Sequence, residues 1–190
     1  TADGTWTIPA EITLANTGPA ASSAAVDVSV FDADGKRIAG GRSAPVSIVP
    51  QGEAVAKVAV PVTAPQLWSL DHPNLYTVRT TVLSGGKPVD ATDTTCGFRT
   101  IRFDAKKGFF LNGQHVELQG TANHQDHAGV GVAVPDSIWD FRVRKLKEMG
   151  SNAYRTAHNP QARELLEACD RQSMLVMCET RHFSASPEYL

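Results

Sequence analysis

Three short stretches carry more polar chemistry than a turn requires. They are N-H-Q-D-H (Asn123 to His127), R-T-A-H-N (Arg155 to Asn159) and C-E-T-R-H (Cys178 to His182). Each follows a run that reads as a strand, so three strand ends deliver His, Arg, Asn, Asp and Glu together. That set offers donors and acceptors at fixed positions, which suits vicinal hydroxyls, each able to donate one hydrogen bond and accept others. A sugar ring also takes an aromatic platform, for which Trp139 and Phe183 are the candidates. A metal held by His124, His127 and Glu179 is a weaker reading, because His-x-x-His in a loop without a further close ligand is a poor zinc pattern. Phosphate is disfavoured, since G-V-G-V-A (129–133) lacks the preceding strand and third glycine of a phosphate loop.

Every one of these residues also has a plainer reading. Arg155 can pair with Glu179 from the neighbouring strand end, His158 can cap the entry of the next helix, and Asp126, His127 and His182 can be solvated loop. Convergence is the counter-argument, because in parallel α/β folds ligands sit at the carboxyl ends of the strands.

The elements that must position these residues change period along the chain. From Trp6 to about Phe103 the pattern is β: Val26, Val28 and Val30 alternate with Asp27 and Ser29, and further alternating runs cover Ala54 to Val60 and Leu75 to Leu83. Turns at D-A-D-G, P-Q-G-E and S-G-G-K separate them, the signature of an antiparallel sandwich. Asn112-Gly113 between two apolar runs predicts a hairpin. The second of those runs, continuing through Val116 to Gly120, reads as the first strand of a new domain.

D-S-I-W-D-F-R-V-R-K-L-K-E-M-G then predicts a helix with Ile138, Phe141, Val143, Leu146 and Met149 on its apolar face, Asp136 as N-cap and Gly150 as the stop. A strand over 151–158, a helix over 161–172 and an apolar strand from Met174 to Glu179 complete β-α-β-α-β, a parallel sheet covered by helices. Ser186-Pro187-Glu188 reads as the start of another helix. Three parallel strands leave open edges, which predicts a fragment of a longer protein and self-association or homo-oligomers.

The chain of 190 residues has 42% hydrophobic and 20% charged residues and a net charge of -2. These values exclude a strongly basic nucleic-acid binder or an anionic-membrane binder, and no apolar run reaches the roughly 20 residues of a membrane span. Cys96, Cys169 and Cys178 fit neither a zinc spacing nor an even disulfide set and are expected to be free buried thiols.

N-A-Y-R-T-A-H-N-P followed by E-L-L-E-A-C-D-R-Q-S-M-L-V-M-C-E resembles the central signature of glycoside hydrolase family 2, which includes β-galactosidases, β-glucuronidases and β-mannosidases. L-W-S-L-D-H-P-N-L-Y (67–76), G-F-R-T-I-R-F and N-H-Q-D-H-A-G-V-G resemble further segments of that family, the last in its β-galactosidase-like form. The resemblance implies a multidomain layout: an immunoglobulin-like β-sandwich over 1–103, and over 104–190 the first three strands of a TIM (β/α)8 barrel, truncated.

It implies that His124, Asp126, Arg155, His158, Asn159 and Glu179 bind substrate, and that Cys178 stands where the family has Asp. The family retains anomeric configuration through two carboxylates about 5 Å apart, both expected beyond Leu190, so no catalytic residue and no metal ligand is assigned here. The implied activity is hydrolysis of terminal β-linked sugars, β-D-galactosides first, by the parent rather than by this chain alone. A divalent cation (Mg) is an open expectation for that parent. The alternatives are a β-glucuronidase or β-mannosidase type and a non-catalytic carbohydrate-binding or interaction module. The implied partner is carbohydrate, with no nucleic acid and no membrane, and the compartment stays open between periplasmic or secreted and cytoplasmic.

Overall fold

The computed structural model describes residues 4–179. The expectations for Arg181, His182, Phe183 and the helix starting at Ser186-Pro187 lie outside the described residues. These form two compact units. One takes the residues up to Gln66 together with Asn74–Phe98; the other takes Leu67–Pro73 and the residues from Arg99 onward.

The first unit is a β-sandwich. Its strands are β1 (Thr5–Asn16), β2 (Ser22–Phe31), β3 (Arg37–Arg42), β4 (Val46–Ile48), β5 (Gly52–Thr63), β6 (Tyr76–Ser84) and β7 (Lys87–Cys96). β1 and β5 form one antiparallel sheet; the other runs β3-β2-β6-β7, with β4 also on β2. The two-residue period puts Val26, Val28 and Val30 of β2 inside, facing Ala56, Val58, Val60 and Val62 of β5, all buried. Gly41 of β3 leaves room for β5, since a Cβ there would lie 2.9 Å from Val58 Cγ1 and force a shift. Phe98 closes the core edge-to-face with Trp6 and Tyr76.

The second unit opens with an antiparallel sheet of β8 (Ile101–Asp104), β9 (Gly108–Leu111) and β10 (Gln114–Val116). Asn112 and Gly113, both at positive φ, make the expected hairpin turn. Then come β11 (Gly120–Asn123), α1 (Asp136–Glu148), β12 (Ala153–Thr156), α2 (Arg163–Arg171) and β13 (Leu175–Met177), with the strands parallel in the order β11-β12-β13. The first parallel strand is therefore Gly120–Asn123 rather than Val116–Gly120. Val116 ends the hairpin, and Asn152 bridges the gap by hydrogen bonds from Nδ2 to the Glu117 carbonyl and from the Gln119 amide to Oδ1. At Gly120 a Cβ would meet the Ala153 carbonyl oxygen at 1.9 Å, so the pairing demands glycine.

Tyr154 and Thr156 point toward the helices, in a core with Trp139, Val143, Leu146, Leu165, Ala168, Cys169 and Met174. This corrects the expected face of α1. The inward residues are Trp139, Val143 and Leu146, at spacings of four and three, while Phe141 and Met149 are exposed. Trp139 is 2% exposed and is no sugar platform.

Asp136 is the first helical residue, not the cap; Pro135 takes that place without a side-chain bond. Gly150 stops the helix as expected, with bonds from Gly150 N to Lys147 O and from Ser151 N to Leu146 O. Helix α2 ends the same way through Ser173 at φ 56, a conformation that sequence ordinarily reserves for glycine. Of the three free cysteines, Cys169 is buried, which pushes its thiol up to about 12, Cys96 is half-buried and Cys178 is exposed, contrary to the expectation of three buried thiols.

Leu67–Pro73 joins this unit out of chain order. Buried Trp68 donates from Nε1 to the Asp170 carbonyl at 2.8 Å and lies under the Arg99 guanidinium. Asn112 donates to the Trp68 carbonyl and the Ser173 hydroxyl to that of Ser69.

Candidate functional site

The carboxyl ends of β11, β12 and β13 carry the polar residues singled out above. Alternation along β12 decides which point where: with Tyr154 and Thr156 turned to the helices, Arg155 takes the opposite face, in register with Ala122 and Met177. β12 is followed by a cis peptide between Ala157 and His158, and His158 is exposed. Helix α2 begins five residues after His158, with Ala162 at its N-cap position, so His158 is not its cap.

Glu179, just past β13, is the meeting point. Its backbone N–H donates to Thr156 Oγ1 at 2.8 Å, and Thr156 is fully buried. Its carboxylate accepts from Arg155 Nη2 on one oxygen and lies 3.0 Å from His158 Nδ1 on the other. Partial burial works against its ionisation, but the hydrogen bonds from His158 and Arg155 and their charge outweigh it and hold the carboxyl below its ordinary value. An ionised carboxylate only accepts, so Nδ1 of His158 is the donor of this bond. The His124 ring stands edge-on to that of His158, with centroids 5.4 Å apart and planes at 83°.

Four of the six expected residues thus come together: Arg155, His158, Glu179 and, through its ring, His124. Asp126 is exposed on the loop after β11 and Asn159 is half-buried beside His158. Among the described residues neither hydrogen-bonds to the cluster. His127 is drawn away, its Nδ1 lying 3.2 Å from Arg142 Nη2. Among the described residues no three His, Cys, Asp or Glu gather as a metal site would require.

Sequence reasoning missed the residues behind the cluster. Buried Gln161 accepts from the Tyr154 hydroxyl at 2.9 Å through Oε1 and donates through Nε2 to the Asn123 carbonyl, fastening the end of β11 to the start of α2. Arg142 of α1 reaches the loop after β11 from below. Periodicity marks which face of a helix is apolar, and Arg142 looks like any solvated helix charge by that measure. A cation next to an inward tryptophan in a three-residue step was the only signal available.

Comparison with known proteins identifies the scaffold. Residues 1–99 match the family model Glycosyl hydrolases family 2, and residues 103–187 match Glycosyl hydrolases family 2, TIM barrel domain. The chain is 38% identical over 167 residues to "Beta-galactosidase BoGH2A" of Bacteroides ovatus, covering 88% of this chain and 20% of that protein. It is 31% identical over 171 residues to "Beta-glucuronidase" of Bacteroides fragilis, covering 90% of this chain and 24% of that one. The crystal structure of a glycosyl hydrolase family 2 member from Bacteroides cellulosilyticus superposes with a TM-score of 0.86 at 32% identity, over 94% of this chain and 24% of that one. The chain therefore spans about a quarter or less of the length of each of these proteins. With a β-sandwich followed by the first three strands of a TIM barrel, it belongs to glycosyl hydrolase family 2.

Proposed function

We propose that this chain contributes one wall of the sugar pocket of a retaining exo-β-glycosidase, with residues 1–103 as its sandwich domain and 104–190 as the opening of its barrel. The observation that carries the reading is Glu179, which gathers Arg155 and His158 from a neighbouring strand end onto one carboxylate. Held ionised, that carboxylate keeps lone pairs for sugar hydroxyls beyond those used by its two donors. The carboxylate keeps acceptor sites and Arg155 retains further N–H donors, so a hydroxyl pair meets both donor and acceptor.

None of these groups is the nucleophile or the acid/base, which the proposal places in the remainder of the longer protein. The isolated 190 residues are accordingly expected to be inactive. His124, Asp126 and Asn159 complete the wall in this reading, and terminal β-D-galactosides are the proposed substrate. The relatives named β-glucuronidase support a second reading, in which the sugar carries a carboxylate.

The test is kinetic. A full-length protein containing this chain should hydrolyse a p-nitrophenyl β-galactoside, and His158→Ala should lower kcat/KM at least about tenfold, the loss expected for hydrogen bonds to a charged group. Preference for the β-glucuronide would select the second reading. No turnover of either glycoside, with sugar binding retained, would point to a non-catalytic carbohydrate-binding module.

A further inference from the structure

Arg142 lies on α1, yet its guanidinium reaches the loop that follows β11. Nη1 donates to the His124 carbonyl at 2.8 Å and lies 3.5 Å from the Tyr154 hydroxyl. Nη2 donates to the Asp126 carbonyl at 2.6 Å and lies 3.2 Å from His127 Nδ1. The cation is set over the ring of Trp139, 4.9 Å from its centroid, and Trp139 is itself locked in the core. Beyond the fork the loop closes on itself through paired bonds between His127 and Gly131.

We infer that Arg142 is a positioning residue for the sugar-binding wall. The two ends of one planar guanidinium bridge carbonyls two residues apart, and this fixes the path of the intervening backbone. That path determines where His124 leaves the chain, and so its edge-on approach to His158. A lysine ends in a single nitrogen and cannot span both carbonyls in the same plane. Arg142 itself bonds the loop backbone, so its effect reaches the sugar only through His124 and its neighbours. The inference rests on the sugar-pocket reading given above.

The experiment uses the full-length protein with Arg142→Met, Arg142→Lys and, as a surface control on the same helix, Arg144→Met. KM and kcat on the p-nitrophenyl glycoside are measured beside the thermal midpoint. Arg142→Met should raise KM about tenfold while kcat stays within about threefold, and Arg142→Lys should raise KM by about threefold, since part of a charged hydrogen-bond set remains. Arg144→Met should leave both constants unchanged. If Arg142 only supports the fold, the variants will lose midpoint and active fraction, hence kcat, at unchanged KM; that result overturns the inference. Should Arg142→Met not fold, Arg142→Lys decides, and an unchanged KM there overturns it equally. Unchanged kinetics in His158→Ala would instead remove the pocket reading itself. Defective His158→Ala beside normal Arg142 variants would remove Arg142 alone.

Discussion

The sandwich and the barrel strands both hold arginine–carboxylate pairs, and the two settings differ in how the partners meet. On the sandwich, Arg42 pairs with Asp27, and Arg79 donates to Asp93 from Nε at 2.8 Å and Nη2 at 2.6 Å. In each case the residues stand directly opposite in the strand register, so the pair is a cross-strand contact of an exposed sheet face. Glu179 has no such explanation. It lies past the last residue of β13, its backbone is tied to a buried threonine, and its carboxylate draws Arg155 and His158 from different positions of the β12 end. A register pair forms wherever two strands lie side by side, but a three-residue gathering at strand ends needs the loops to be shaped for it. The same two residue types are therefore sheet decoration in one region and, on the function proposed above, a binding wall in the other.

The largest effect that should separate the two settings comes from Glu179→Gln. The side chain keeps its size but loses the charge that Arg155 and His158 face. In the full-length protein kcat/KM should fall at least about thirtyfold, in the range of lost charge-assisted bonds. An effect below about twofold would place Glu179 with the sheet pairs.

A smaller effect separates them by pH. The folded values of Glu179 and Asp93 both lie below the ordinary 4.5 and 3.8. Each therefore contributes stability that is present above its unfolded value and lost as pH falls through the folded one. Thermal midpoints taken down from neutral pH should show Glu179→Gln flattening the slope below about 4.5, and Asp93→Asn only below about 3.8. An unaltered slope in Glu179→Gln would show that its pair forms no better folded than unfolded.

The smallest effect is expected for Asp93→Asn at neutral pH. Both partners are about half exposed, so the midpoint should move by no more than about 2 °C and the kinetics should stay within about twofold. A tenfold kinetic loss would end the distinction between the two regions.

Much of this was legible before any coordinates. Alternation in A-A-V-D-V-S-V-F puts three valines inside because side chains of a strand point to opposite faces, and nothing else in that stretch competes. Asn112-Gly113 and Gly150 were readable because a positive φ is cheap only for a few residue types. The apolar face of α1 was read rightly at Val143 and Leu146 but wrongly at Phe141 and Met149, which are exposed while Trp139 turns inward, because both choices make an equally good stripe on paper. Only the sheet beneath the helix chooses between them. Ser173, at the end of α2, gave no stop signal because its left-handed conformation is supported by bonds to Ser69 and from Lys147, which no local pattern predicts.

The sequence by itself determined the order of the domains, the parallel β-α-β-α-β unit and the set of residues at its strand ends, since each follows from local period, turn chemistry or motif spacing. Only the tertiary structure decided which of those residues meet. Arg155 faces Glu179 because β12 and β13 are in parallel register with the buried Thr156 hydroxyl fixing the Glu179 backbone, and His124 meets His158 across a loop that Arg142 holds from a helix. Such meetings depend on distances between segments 16 to 34 residues apart, and the chain's local chemistry does not encode those distances. It also took the fold to move Leu67–Pro73 out of chain order into the second unit, because the indole of Trp68 finds there the Asp170 carbonyl that its burial requires.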